Sequence, residues 1–103
     1  LTLVSQQIAE GFLCQRLSVQ ITSPDGLIES ADLMGLELPE GIDWRKGIVI
    51  EGRAPIWLYG YLVHACHPAL WVACFDPRLG AVVVATHTHK VSVGQVIPIA
   101  LAM

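Results

Sequence analysis

The chain has 103 residues, the size of one compact domain, with 53% hydrophobic residues, 15% charged residues and a mean hydropathy of +0.56. That balance excludes a disordered tail, and so few charges imply that a partner, a second copy or a missing domain covers part of the apolar surface. The net charge of -3 hides an asymmetry: residues 1–43 carry -6, whereas residues 44–103 carry +3 and all four histidines. An anionic ligand is therefore expected on the second part.

In chain order, residues 13–22 alternate Leu17, Val19 and Ile21 with Ser18, Gln20 and Thr22, the period of a half-buried strand. Ser23-Pro24-Asp25-Gly26 signals a turn, and residues 27–36 suggest a short acidic helix stopped near Gly35 and Pro39. Residues 47–52, β-branched and bounded by glycines, read as a buried strand. Pro55 suits the first turn of a helix that runs from about 54 to 67, where Pro68 stops it. Residues 70–75 form a second buried strand, Asp76-Pro77-Arg78-Leu79-Gly80 a tight turn, and residues 81–87 a hairpin partner. Residues 95–101 form a last strand, with Pro98 marking an edge or a bulge.

The fold class expected is α/β: a small mixed sheet of about five strands with two helices, in one domain spanning 1–103. Residues 54–75 carry no Asp, Glu, Lys or Arg, yet His64, His67 and Pro68 make a buried helix followed by a strand the better reading than a membrane span. Cys14, Cys66 and Cys74 form no CxxC pair and are odd in number, so a reducing cytoplasm is the default compartment.

Topology sorts the polar residues. In a strand–helix–strand crossover over 47–75, Gly52, Arg53, Asp76 and Arg78 gather at one end of the sheet. His64, His67, His87 and His89 gather at the other, roughly 20 Å away at about 3.3 Å per residue. Within one chain the two groups cannot share a site; copies meeting head to tail could bring them together. Gly52-Arg53-Ala54-Pro55, a glycine and a cation before a helix N-terminus, is a candidate anion site. Trp57, Gly60, His64 and His67 share a helix face, and Trp57 reads as core rather than as a stacking platform. His87 and His89 read as one face of a strand. Four imidazoles near one end offer a transition-metal site or a general acid or base, against the simpler reading of His64 as a buried, satisfied ring.

Three stretches, in order and at compatible spacing, resemble a known family. They are Arg45-Lys46-Gly47-Ile48-Val49-Ile50-Glu51-Gly52-Arg53-Ala54-Pro55-Ile56-Trp57-Leu58, then Leu62-Val63-His64-Ala65-Cys66-His67, then Phe75-Asp76-Pro77-Arg78-Leu79-Gly80-Ala81-Val82-Val83-Val84 with His87 beyond. Over about residues 45–99 they resemble the small CRISPR-associated ring nucleases of type III systems, also described as manganese-dependent RNA deadenylation nucleases. The resemblance implies a Rossmann-like fold related to cyclic-oligoadenylate sensor domains, as a homodimer that stacks head to tail into tetramers or filaments. It implies cyclic tetra-adenylate held between dimers and cleaved, which switches off CRISPR effectors. By the same resemblance His67 and Asp76 are catalytic and Arg78 is a phosphate contact. Asp76 and His87 are candidate Mn²⁺ ligands, and His64 and Arg53 are candidate substrate contacts. The alternatives are a cyclic-nucleotide or RNA-binding sensor that does not cleave, and a nuclease acting on RNA 3′ ends. The chain is also compatible with the N-terminal part of a longer fused protein.

Overall fold

A computed structural model describes residues 2–9, 13–21 and 24–99. Six strands form one sheet in the order β1-β2-β3-β4-β5-β6: β1 Thr2–Ala9, β2 Leu13–Gln20, β3 Gly47–Glu51, β4 Trp71–Asp76, β5 Gly80–Thr86 and β6 Val96–Ile97. The central pairs β2–β3 and β3–β4 are parallel, and β1–β2, β4–β5 and β5–β6 are antiparallel. The sheet is mixed and the fold α/β. The expected strand at 13–22 is β2, which ends at Gln20; Thr22 and Ser23 lie outside the described residues.

Chain-adjacent parallel strands require crossovers. The β3–β4 crossover carries the helix α1, Ile56–Ala65. It is shorter than the expected 54–67 because Pro55 is the N-cap rather than an interior residue, with Leu58 N and Tyr59 N both donating to its carbonyl. At the other end the chain tightens into a turn before Pro68, with Cys66 N donating to Leu62 O and His67 N to His64 O. The β2–β3 crossover, by contrast, replaces the expected second helix with a single 3₁₀ turn at Ser30–Leu33. Its core-facing residues Ile28, Leu33, Leu36, Leu38 and Ile42 follow no helical period, and the chain turns at Gly35 and Gly41 with φ of 81° and 87°. Among the described residues α1 is therefore the one α-helix.

Both crossovers cover the same sheet face, where Leu58, Leu62 and Cys66 of α1 pack on Leu17, Val19, Ile48, Ile50 and Val72. The opposite face holds Cys14, Val49, Ala73, Ala81 and Val83 beneath Trp71, Val91, Ile97 and Ile99. The half-buried reading of β2 holds at Gln20, which is exposed, and is corrected at Ser18 on the same face, which is buried. Gln15 and Ser18 are as buried as Leu17, and each has a polar partner far along the chain. Gln15 Nε2 donates to Asp43 O at 2.7 Å while Asp43 N donates to Gln15 Oε1 at 3.0 Å, clamping the first crossover onto the sheet. Ser18 Oγ donates to Glu51 Oε1 across the β2–β3 pair.

Strand β1 has no counterpart in the expected elements. Its sequence, TLVSQQIA, lacks a two-residue period and gave no strand signal. The last strand is shorter than expected: β6 spans two residues at the sheet edge and stops before Pro98, which has no N–H for the ladder. Residues 100 and 101 of the expected strand lie outside the described residues.

Candidate functional site at two ends of the sheet

The parallel β3–β4 register, Ile48↔Val72 through Ile50↔Cys74, brings the chain past Glu51 and past Phe75 out at the same sheet end. At this end Gly52 turns with φ 122°, and a Cβ there would lie 2.5 Å from Val19 O, so only glycine fits without a backbone shift. Tyr59 Oη donates to Gly52 O at 2.6 Å, fixing the loop that presents Arg53 to solvent. In the β4–β5 turn Asp76 Oδ1 accepts Arg78 N at 2.7 Å and lies 3.7 Å from Arg78 Nε. Asp76 thus acts on Arg78, shaping the turn and drawing the exposed guanidinium toward it. Sequence reasoning missed a neighbour of this end. Glu51 takes the Ser18 hydroxyl and stands 3.7 Å from Arg16 Nε, and the signal was a lone carboxylate closing an otherwise apolar strand.

At the far end of β4, about 17 Å away at about 3.3 Å per residue, three histidines meet. The His64 and His67 rings stack with centroids 5.9 Å apart. His67 Nδ1 lies 3.2 Å from His64 O, and His87 Nε2 lies 2.8 Å from His67 O. A carbonyl oxygen only accepts, so His67 carries its proton on Nδ1 and His87 on Nε2. The neutral His67 ring is left with an unprotonated Nε2 on an exposed side chain, a tautomer that can accept a proton. His87 N also donates to Leu70 O, fixing the strand end against the helix turn.

Three expectations are corrected, for His89, His64 and Trp57. His89 does not extend a strand with His87, because Thr88 N donates to Thr86 Oγ1 and Thr86 Oγ1 donates to Thr88 O, both at 3.0 Å. These local bonds replace the ladder and bend the chain after Thr86. His64 and Trp57 are surface residues, not core. Trp57, Tyr61 and Ile56 lie exposed on α1, with Ile56 87% exposed, and the buried side of the helix is Leu58 and Leu62.

The two groups therefore stand apart in one chain, as the topology required. The expected Mn²⁺ does not fit a single chain. Among the described residues no three His, Cys, Asp or Glu side chains converge, and Asp76 and His87 lie at opposite ends. One carboxylate oxygen of Asp76 is taken by the Arg78 turn, and one ring nitrogen of His87 by a carbonyl.

Burial pushes the Cys66 thiol up to about 11 and the Tyr59 phenol up to about 12, the latter also through nearby Cys74 and Glu51. Below the ordinary values of 9.0 and 10.0 both groups are neutral in either state and their contribution is fully present. Above them the unfolded chain ionises first, so stability declines across about pH 9 to 12. Urea midpoints measured at pH 7, 8 and 10.5 should fall chiefly between the last two; a flat series contradicts the burial of these groups.

Comparison with known proteins adds the family. The model of CRISPR-associated protein (Cas_csx3) matches residues 21–98, which holds both ends of the sheet and all of β3, α1, β4 and β5. The chain belongs to the Cas_csx3 family. Its function is accordingly CRISPR-associated. A relative described as an uncharacterized protein of Aquifex aeolicus (strain VF5) is 57% identical over 51 residues, 48% of this chain and 46% of that protein. The chain thus spans about half the length of the relative it matches. Among the described residues no helix is long and apolar enough to cross a membrane.

Proposed function

We propose that this Cas_csx3 domain is a ring nuclease that opens cyclic tetra-adenylate, with the substrate held between copies stacked head to tail. The observation that supports it most is the His67 ring, pinned through Nδ1–H to the His64 carbonyl so that an exposed Nε2 is free to take a proton. Arg53 and Arg78 are exposed cations at the other end of the sheet, suited to phosphates. Stacking sets the arginine end of one copy against the histidine end of the next, a heterologous contact that repeats along a filament.

In this reading a ribose 2′-hydroxyl attacks its adjacent phosphorus and gives up its proton to His67 Nε2. The bond from phosphorus to the 5′-oxygen breaks, and that oxygen receives the proton back from the His67 imidazolium. The products are linear adenylates ending in a 2′,3′-cyclic phosphate. Arg78, held by Asp76, and Arg53 bind the phosphate whose charge grows in the transition state. His64 supports the His67 ring from one side. Mn²⁺, if bound, would be held where copies meet, by Asp76 of one and His87 of the next, and would supply positive charge to the phosphates.

Incubation with cyclic tetra-adenylate in Mn²⁺ and in EDTA, read by chromatography, tests it. Linear adenylates with cyclic phosphate ends are expected in Mn²⁺. Intact ligand co-eluting with the protein would instead make the domain a sensor, and stepwise shortening of a linear adenylate tail alone would make RNA 3′ ends its substrate.

A further inference from the structure

Beside Arg78 the sheet end opens into a shallow cleft of about 310 Å³ lined by Phe75, Pro77, Arg78, Leu79, Gly80, Pro98 and Ile99. The lining is apolar apart from the one guanidinium. Leu79 is 59% exposed in a tight turn where a polar side chain or glycine is usual. Local hydrogen bonds hold the backbone of the cleft. Leu79 N donates to Asp76 O at 3.1 Å, and Arg78 N to Asp76 Oδ1 at 2.7 Å. At Gly80, φ is 115° and a Cβ would stand 2.8 Å from Ile97 O, so the turn and the 97–99 segment are set close together by a glycine.

The combination of flat apolar walls and one adjoining cation has a ligand of matching chemistry. A nucleotide carries a planar, largely apolar base one sugar away from its phosphate. We infer that this cleft is a nucleobase subsite, with a base lying among Leu79, Pro77 and Pro98 while its phosphate meets Arg78. This rests on the reading of Arg78 as a phosphate contact, and it assigns to the same end of the domain the part of the ligand that the arginines do not address. A bare anion-binding turn needs no Leu79. Burying a planar base against apolar side chains adds affinity to the phosphate contact, so the subsite discriminates nucleotides from other phosphates.

The test uses adenosine 5′-monophosphate and ribose 5-phosphate, titrated separately into the full chain and followed by amide NMR shifts. The monophosphate should bind about tenfold or more tightly than the sugar phosphate, with shifts centred on Gly80 and Ile99. Leu79→Ser, a change at an exposed site that leaves the fold intact, should remove that difference without changing ribose 5-phosphate binding. Equal affinities in the native chain, shifts centred elsewhere, or equal loss of both ligands in Leu79→Ser overturn the subsite. The nuclease reading fails separately. A domain that prefers the monophosphate through Leu79 but leaves cyclic tetra-adenylate intact keeps the subsite and loses the cleavage. A domain that cuts the ring yet binds both probes equally keeps the cleavage and loses the subsite.

Discussion

His67→Ala should reduce single-turnover cleavage of cyclic tetra-adenylate by about 10²- to 10⁴-fold, the range for losing a positioned general base, while affinity stays within a few-fold of native. The split follows from the geometry. The His67 side chain is exposed, and its one intrachain hydrogen bond on the ring is to the His64 carbonyl at 3.2 Å. Truncation therefore removes Nε2 without opening the core, and the helix end is still held by Cys66 N on Leu62 O. In the proposed reading the phosphates are held by Arg53 and Arg78, exposed at the other end. His67→Gln should behave like His67→Ala, since an amide cannot accept and return the proton at useful rates. Single-turnover kinetics and direct binding on the same preparations separate the effects. Equal loss of binding and cleavage, or unchanged cleavage, removes His67 from the role of base.

Gly47→Ala should be the most damaging small substitution outside the site. A Cβ at Gly47 would come within 2.0 Å of Trp71 Cε2 and 2.3 Å of two further atoms of the indole. That ring is 3% exposed and belongs to the core on the sheet face opposite α1. Neither partner has room to yield. Gly47 pairs with Cys14 in the β2–β3 ladder, and the carbonyl of the preceding residue Lys46 accepts Leu70 N at the entry to β4. Overpacking of this kind costs about 1–3 kcal/mol, a fall in melting temperature of roughly 4–8 °C per kcal/mol in a domain this size. Thermal unfolding followed by circular dichroism measures it. Gly60→Ala is the internal control: a Cβ there meets nothing within 4 Å, so the helix should gain about 1 kcal/mol. A Gly47→Ala chain as stable as native would mean that Trp71 does not lie over Gly47.

The parts of the fold that sequence disclosed are those whose cause is local. β3 and β4 are apolar runs with glycine or turn residues at their ends. Pro55 and Pro68 bracket α1, and Asp76-Pro77-Arg78-Leu79-Gly80 can only turn. Together these local signals suffice to place the arginines and the histidines at opposite ends of the sheet. What sequence concealed depends on partners far along the chain. Ser18 reads as the wet side of β2 because Glu51, which satisfies it, is 33 residues away, and the burial of Gln15 depends on Asp43, 28 residues away. The 27–36 segment had the composition of a helix, but its buried positions answer to the sheet beneath it and not to a helical period. His89 was assigned to a strand because alternation was visible and the Thr86–Thr88 hydrogen bonds were not. The His67 tautomer was invisible for the same reason: it is set by where the turn before Pro68 places one backbone carbonyl. The excess of apolar residues did carry information. Part of it lies exposed on α1 at Ile56, Trp57 and Tyr61, and at Leu79 beside Arg78.

The central claim is that one copy's arginine end completes the histidine end of the next. Mixing two inactive variants measures it directly. His67→Ala and Arg78→Ala are each expected to lack cleavage, because every contact between identical copies then misses one half of the site. In an equimolar mixture, contacts that set the intact Arg78 of a His67→Ala copy against the intact His67 of an Arg78→Ala copy are whole. The mixture should therefore cut cyclic tetra-adenylate at a substantial fraction of the native rate, rising with total protein concentration. A mixture as inactive as either variant alone, with both variants folded and still able to associate, would contradict a site shared between copies.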